Sequence, residues 1–190
     1  MNALILNGET SDLKIEQFIL DVLADALKDK GALSQVLPLS EMDIGACTGC
    51  FGCWIKTPGI CVLNDEGRDV TRKIVQNDLL IFLTPVTFGG YSSELKRGLD
   101  RIIGFVSPFF EKVSGEWHHK MRYSALPRLV GFGVLSDVDE AAAEVFHALV
   151  ARNGLNMHQT PRSEVLVMSL GKQKIKERIW NTLNGVGCEN

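Results

Sequence analysis

The first β-α-β unit of the chain lies between residues 3 and 39 and reads ALILNGETSDLKIEQFILDVLADALKDKGALSQVLPL. Its opening apolar run, residues 3–6, stops at an Asn-Gly pair, which is typical of a buried parallel strand followed by a turn. Apolar residues between 13 and 27 then recur mostly at spacings of three and four, which predicts a helix capped by Ser11 or Asp12. Residues 34–39, SQVLPL, are predicted to form the second strand, which completes a β-α-β unit.

The rest of the chain continues the same alternation of helices and buried strands. Strict alternation predicts a doubly wound parallel sheet, and five strands suit the flavodoxin-like order 2-1-3-4-5 in a three-layer α/β/α arrangement. At 190 residues we expect a single domain over 1–190 with a cysteine-rich excursion at about 43–64. The predicted elements are a helix at 67–77, a strand at 78–84, a loop at 85–91, a helix from Ser92 or Ser93 through Ile103, an irregular segment at 107–127, a strand at 128–134, a helix capped by Asp137 or Asp139 through Val150, a strand at 163–168 and a helix at 173–183.

Composition narrows the function classes. The chain is 45% hydrophobic with a formal net charge of −3, which gives no basic footprint for nucleic acid. Nothing reaches the roughly 18 apolar residues that span a membrane. The N-terminal run has no basic region and no small-residue cleavage site, so we expect a cytoplasmic protein without a nucleic-acid or membrane partner.

Four of the five cysteines, Cys47, Cys50, Cys53 and Cys61, fall in the pattern C-x2-C-x2-C-x7-C. Thiolates select iron–sulfur clusters, zinc or copper, and a C-x2-C-x2-C run is the bacterial ferredoxin pattern. Zinc sites more often separate two C-x2-C pairs by a longer stretch, and an odd cysteine count argues against a disulfide framework. Iron–sulfur ligands, zinc ligands and metal-free thiols all remain open from the spacing.

The loop after the third predicted strand is a second candidate site. In a flavodoxin-like order, FMN lies at the switch point between the first and third strands. Gly89 and Gly90 allow a close backbone approach, and Phe88 and Tyr91 offer aromatic faces. The alternative is a glycine-rich turn that only connects strand to helix. Because the cysteine segment leaves the carboxyl end of the second strand, we expect it on the same rim of the sheet.

Two motifs carry a resemblance to a known family. Residues 84–101, TPVTFGGYSSELKRGLDR, resemble the signature of the NAD(P)H-dependent FMN reductase superfamily. Residues 46–54, ACTGCFGCW, together with Cys61 resemble the compact cysteine motif of its iron–sulfur flavoproteins. The resemblance implies a homodimer or homotetramer that uses NAD(P)H, small donors and acceptors, and a ferredoxin as a further candidate partner. It implies FMN bound by Pro85, Val86, Thr87, Phe88, Gly89, Gly90 and Tyr91, and a 4Fe-4S cluster held by Cys47, Cys50, Cys53 and Cys61.

The first loop departs from the family pattern. The family loop usually reads Gly-Ser-Pro-Arg-Lys-x-x-Asn-Thr, whereas residues 7–13 here read NGETSDL and lack the arginine. Thr10 and Ser11 remain as the expected donors to the FMN phosphate. Glu9 and Asp12 bring carboxylates near the same position, so we expect either weak FMN affinity or a phosphate held by residues from elsewhere in the chain.

The sequence therefore predicts an FMN-dependent oxidoreductase without a named catalytic side chain. Electrons would pass from a reduced nicotinamide or a ferredoxin-type donor to a small acceptor. One alternative is a non-catalytic electron carrier or redox sensor, and another is a zinc-stabilised flavodoxin-like scaffold. His118 and His119 are interpreted either as a rim over the flavin or as a solvated surface loop.

Overall fold

The computed structural model describes residues 1–186, and Cys188, for which we expected no role, lies outside the described residues. Five parallel strands form the main sheet in the order β2-β1-β3-β6-β7. A separate two-stranded hairpin supplies β4 and β5. Once the hairpin is set aside, the order is the predicted 2-1-3-4-5, so the flavodoxin-like fold is confirmed. The main-sheet strands are β1 Asn2–Asn7, β2 Leu33–Pro38, β3 Leu79–Pro85, β6 Arg128–Leu135 and β7 Arg162–Val167.

Helices cover both faces of the sheet. They are α1 Gln17–Asp29, α2 Gly52–Ile55, α3 Gly67–Val75, α4 Ser93–Asp100, α5 Glu140–Asn156 and α6 Lys172–Asn184, with 3-10 helices at Leu39–Glu41, Arg101–Phe105 and Met168–Leu170. Because successive strand side chains point to opposite faces, Leu80 and Phe82 pack with α3, α4 and α5, whereas Ile81 and Leu83 pack with α1 and α6. The strand β3 is buried along its whole length, which fits its central position.

The start of the first helix differs from the prediction. Neither Ser11 nor Asp12 caps α1, which begins at Gln17. Thr10 Oγ1 accepts a hydrogen bond from the Leu13 N–H at 2.9 Å, so the preceding residues form a local turn instead of a helical one. Ser92 caps α4 by accepting from the Leu95 N–H, and Asp139 caps α5 by accepting from the Ala142 N–H.

The segment expected to be irregular, 107–127, is largely a β-hairpin. The strands β4 Val106–Val113 and β5 Glu116–Met121 are antiparallel, and Ser114 and Gly115 both adopt positive φ at the turn. Arg152 of α5 holds the hairpin with hydrogen bonds of 3.0 and 2.7 Å to the two carboxylate oxygens of Glu116. The prediction failed because Pro108 and the polar residues of β5 hide the alternation of a strand.

Within residues 1–186, no helix has the length and apolar character that crossing a bilayer requires.

Candidate flavin rim and cysteine cavity

A tight turn follows β3 at the carboxyl edge of the sheet. The N–H of Thr87 donates to the carbonyl oxygen of Gly90 at 3.0 Å, and the N–H of Gly90 donates back to Thr87 at 2.8 Å. The two central residues, Phe88 and Gly89, have φ of 51° and 77°. Gly89 suits this geometry, and a Cβ there would come within 2.7 Å of Cβ of Val145. We call residues 87–90 the rim turn.

Phe88 is the unusual residue of the rim turn. Its side chain is fully exposed, although a bulky residue at positive φ is strained. Among the hydrogen bonds of residues 1–186, none uses the backbone N–H of Phe88 or Gly89. Strained backbone of this kind persists where function requires it. The rim turn thus presents an open aromatic ring beside the unpaired backbone N–H of Phe88.

The rim turn is fixed to the loop after β1. Ser92 donates from its hydroxyl to the carbonyl oxygen of Gly8 and from its backbone N–H to Thr84 Oγ1, the latter at 3.0 Å. The N–H of Gly8 donates to the carbonyl oxygen of Leu83 at 2.7 Å. The loops after the first and third strands therefore meet at one place, which is the switch point of this sheet order.

Not every residue predicted for the flavin site presents its side chain at the rim. The ring of Tyr91 is buried between Phe82 and Phe146, and its hydroxyl accepts from Asn153 Nδ2 at 2.9 Å. Burial raises the pKa of this phenol. The expectation that Tyr91 offers an aromatic face is therefore wrong, because the ring completes the core. Pro85 pairs with β6 as the end of β3, Gly89 is buried, and Val86, Thr87 and Gly90 are half-buried. Phe88 is therefore the exposed residue of the loop.

In the loop after β1, hydrogen-bond donors of the chain surround the carboxylate of Glu9. Glu9 accepts from Lys14 Nζ at 3.1 Å, from Asn7 Nδ2 at 3.3 Å and from the backbone N–H of Ile15. Burial raises the pKa of Glu9, but these hydrogen bonds outweigh it and leave the pKa below its ordinary value. Glu9 is therefore ionised at neutral pH.

The two hydroxyls expected to hold a phosphate also have local contacts. Thr10 Oγ1 accepts from the Leu13 N–H, and Ser11 Oγ donates to Asp12 at 3.1 Å. The ring end of a flavin site therefore fits the residues present at the rim turn. The phosphate end fits less well, because the Ser11 hydroxyl donates to Asp12 and the Glu9 carboxylate lies in the same loop.

All four motif cysteines line one cavity of about 540 Å³ and none is paired in a disulfide. The opposite walls come from the end of α4, the following 3-10 helix, the hairpin and the end of α5. Residues of those walls include Leu99, Arg101, Ile103, Phe105, Val106, His119, Asn153, Asn156 and Met157. We call this space the cysteine cavity.

The cysteine cavity lies away from the rim. The helices α4 and α5 begin at the rim and are about 12 and 25 Å long. The ends of these helices that are distant from the rim line the cavity. No residue from 84 to 91 belongs to its lining in the described part of the chain. The expectation of one shared rim is therefore wrong.

Contacts of the motif explain this position. Trp54 Nε1 donates to the carbonyl oxygens of Ile103 at 3.1 Å and Val106 at 3.0 Å. These bonds hold the cysteine motif beside the residues that follow α4. Gly104 permits the approach, since a Cβ there would lie 3.2 Å from Cβ of Cys53.

A row of four rings connects the cysteine motif to the hairpin. Ring centroids are separated by 5.1 Å for Phe51 and Trp54, 4.8 Å for Trp54 and His119, and 4.4 Å for His119 and Phe110. His119 is thus a wall of the cysteine cavity, and neither interpretation made from the sequence is right. His118 is buried and its Nδ1 lies 3.1 Å from Asn156 Oδ1, so it anchors the hairpin to α5.

The thiols differ in their surroundings. The backbone N–H of Gly52, followed by the Thr48 hydroxyl, lowers the pKa of Cys50. Burial, followed by the charge of Cys61, raises the pKa of Cys53, and the charges of Cys47 and Cys50 add to the rise. Cys53 therefore lies close enough to the other three motif cysteines for their charges to act on it.

In kind and number, this donor set fits a thiolate-bound iron–sulfur cluster. Across residues 1–186, however, no three His, Cys, Asp or Glu side chains are arranged to hold a metal ion. The structure thus brings the four predicted ligands to one cavity without setting them in a ligation geometry.

Sequence reasoning missed a buried arginine beside these thiols. Arg101 Nη1 donates to the Gly45 carbonyl oxygen and to Asp65 Oδ2, both at 2.6 Å, and its side chain is fully buried. Hydrogen bonding to Asp65 raises the pKa of Arg101, burial lowers it, and the neighbouring Cys61 adds to the rise. The available signal was its place as the last residue of the motif at 84–101, where it follows a helix with four charged residues and cannot be told from a surface arginine.

The strand order and the switch point between β1 and β3 define a flavodoxin-like α/β protein. The sequence model of the family described as NADPH-dependent FMN reductase matches residues 1–169, and the chain belongs to that family. The resemblance to this family that the sequence predicted is thereby confirmed.

Curated relatives match part of the chain. An iron-sulfur flavoprotein of Methanocaldococcus jannaschii is 31% identical over 77 residues, which are 40% of this chain and 39% of that protein. An iron-sulfur flavoprotein of Archaeoglobus fulgidus is 29% identical over 101 residues, 53% of this chain and 48% of that protein. The chain thus spans less than half the length of these relatives.

Solved structures share the fold over almost the whole chain. The NAD(P)H:quinone oxidoreductase from Methanothermobacter marburgensis superposes with a TM-score of 0.70 at 17% identity, covering 98% of this chain and 99% of that one. An FMN-dependent NADH-azoreductase from Bacillus anthracis in complex with FMN gives a TM-score of 0.68 at 10% identity, with coverage of 98% and 99%. At these identities the likeness concerns the fold.

Proposed function

We propose that the protein is an FMN-dependent oxidoreductase that moves electrons from a reduced nicotinamide or a ferredoxin-type donor to a small acceptor. The observation that carries the proposal is the rim turn, where Phe88 is fully exposed at positive φ on the switch point of the sheet. Family membership supports the same conclusion. The quinone oxidoreductase and azoreductase among the solved structures suggest quinones or azo compounds as acceptors to test.

The residues at the rim have distinct tasks in this proposal. Bound FMN would supply reversible one- and two-electron chemistry at its isoalloxazine ring. The side chain of Phe88 offers an aromatic face, and its backbone N–H is available as a donor to a polar ring edge. Ser92 keeps the turn in place through its bonds to Gly8 and Thr84.

The cysteine cavity is the second proposed cofactor site. We propose that Cys47, Cys50, Cys53 and Cys61 hold a 4Fe-4S cluster, which would supply one-electron chemistry at this place. The names of the curated relatives and the four thiols on one cavity support this proposal. Unpaired thiols also need a reducing compartment, so we propose the cytoplasm.

Self-association is part of the proposal. The side chains of Phe109, Phe110 and Trp117 on the hairpin are between 58% and 69% exposed. A cluster of exposed aromatic side chains is typical of a surface that contacts another protein chain. A homodimer or homotetramer covers such surface. Light scattering on the purified protein measures this directly.

The experiment for the catalytic role is a comparison of electron donors. The protein is reconstituted with FMN without oxygen, and the oxidation of NADPH and of NADH is followed with a quinone as acceptor. Multiple turnovers support the oxidoreductase. Slow reaction with both nicotinamides but rapid exchange with a reduced ferredoxin favours the non-catalytic carrier. Colourless protein with one zinc per chain favours the scaffold.

A further inference from the structure

We propose that the Glu9 carboxylate occupies the phosphate end of the flavin site. The protein then binds flavin through its ring and discriminates little between FMN and riboflavin. This inference rests on the proposed flavin function. It concerns which part of the flavin the chain recognises, and Glu9 is the residue that determines this specificity.

The surroundings of Glu9 are those of a bound anion. Its side chain is 17% exposed, and its carboxylate accepts from a cationic ammonium, a side-chain amide and a backbone N–H, those of Lys14, Asn7 and Ile15. A second contact fixes the loop, since the Glu9 N–H donates to Asn7 Oδ1 at 3.1 Å. These donors would otherwise have to bind water or a ligand.

The position of Glu9 is where a nucleotide phosphate would lie. It follows Gly8, which contacts Ser92 and Leu95 at the start of α4, and it precedes α1. Phosphates bind at helix N-termini beside this switch point because backbone N–H groups point at them. Here the Ile15 N–H, two residues before α1, points at the Glu9 carboxylate instead.

The charge balance of the loop opposes a second anion. Residues 8–16 carry Glu9, Asp12 and Glu16 against the single cation Lys14, which Glu9 already binds. A phosphate monoester has a charge of about −1.5 to −2 at neutral pH. Binding it here requires that Glu9 leave its donors, so the phosphate adds little net affinity.

Flavin fluorescence quenching measures the dissociation constants of FMN and riboflavin separately, without any enzymatic readout. The wild type is expected to bind the two flavins within about tenfold of each other. Glu9→Gln is expected to tighten FMN binding by at least about tenfold and to leave riboflavin binding unchanged. Asp25→Asn is the matched control, because Asp25 is an exposed carboxylate on α1 outside residues 8–16.

Three results overturn the inference. Wild-type protein that binds FMN more than about tenfold tighter than riboflavin contradicts it even if Glu9→Gln does not fold. An unchanged FMN-to-riboflavin ratio in a folded Glu9→Gln variant also contradicts it. Protein that quenches neither flavin removes the proposed flavin function, and this inference with it.

Discussion

Arg101 and Asp65 form a bidentate ion pair in which Nη1 lies 2.6 Å from Oδ2 and Nη2 lies 2.7 Å from Oδ1. Asp65 also accepts from the backbone N–H groups of Gly45 and Gly67, at 3.0 and 3.1 Å. The pair therefore joins the residues before Cys47, the start of α3 and the end of α4. It holds the entry of the cysteine segment against the fold.

Loss of the Asp65 carboxylate should destabilise the protein strongly. Asp65→Asn leaves the fully buried guanidinium of Arg101 without a counter-charge, which costs about 3 kcal/mol or more in the free energy of unfolding. Urea unfolding at pH 7 measures this change. Asp69→Asn is the control, because its ion pair with Arg72 is exposed and contributes less than about 1 kcal/mol. Equal effects of the two variants would contradict the structural role of the buried pair.

The same pair should make stability depend on pH. Hydrogen bonds from Arg101 lower the pKa of Asp65 from 3.8 to about 2, and they outweigh the opposing effect of burial. Because the pKa is lower in the folded protein, the carboxylate stabilises it above the unfolded pKa, by about 2 kcal/mol at neutral pH. This contribution is lost as the pH falls from about 4 to about 2. Unfolding of the wild type and Asp65→Asn at pH 7 and pH 3 should therefore show a smaller difference at pH 3; a constant difference would refute the assignment.

Replacement of Phe88 should stabilise the fold but weaken flavin binding. Phe88→Gly relieves a positive φ and removes a fully exposed ring, so the free energy of unfolding should rise by about 1 kcal/mol. Flavin affinity should fall by about tenfold, because the aromatic face at the rim is lost. Phe109→Ala removes another exposed ring, on the hairpin, and should leave flavin affinity unchanged. Unaltered flavin binding by Phe88→Gly would show that the rim turn is not the ring site.

Two effects should make a glycine necessary at position 89 for full stability, namely its positive φ and its close approach to Val145. Gly115→Ala, at φ 87° with open space around it, should cost about 1 kcal/mol from backbone strain alone. Gly89→Ala should cost at least about 1 kcal/mol more, because the new Cβ meets Val145. Adding Val145→Gly, which removes the Cβ that would lie 2.7 Å from the new one, should recover that second part relative to Val145→Gly alone. Thermal unfolding compares these variants with the wild type, and no recovery in the double variant would exclude the steric cause.

The cysteine motif should govern the metal content. Single Ser variants of Cys47, Cys50, Cys53 and Cys61 are expected to lose most of about four irons per chain. Cys188→Ser, outside the motif, should keep the wild-type iron content. Iron and acid-labile sulfide assays on anaerobically purified proteins measure the effect. Zinc in the wild type in place of iron would point to the scaffold alternative.

The sheet was predictable from the sequence because its strands are continuous apolar runs. Runs such as residues 79–83 are buried on both faces, and each is followed by a helix with a recurring apolar face. Alternation of this kind allows few topologies, which is why the strand order was right. The motif at residues 84–101 similarly identified the family. The single-domain organisation over residues 1–190 stays a prediction.

Other parts depended on contacts between distant residues. Trp54 reaches carbonyl groups about fifty residues away, and that contact moves the cysteines from the rim to the far end of α4. Glu9 and Thr10 bind nearby N–H groups, which delays the start of α1. Tyr91 fills the core because Asn153 on α5 satisfies its hydroxyl. Local periodicity contains none of these pairings.

The central claim is that one chain carries a flavin at the rim turn and a cluster in the cysteine cavity. The most direct test is the absorption spectrum of anaerobically purified protein, with flavin, iron and acid-labile sulfide measured on the same sample. We predict flavin bands over a broad cluster absorption, with about four irons and four sulfides per chain. A sample that shows neither chromophore, even after FMN is added, would contradict the account.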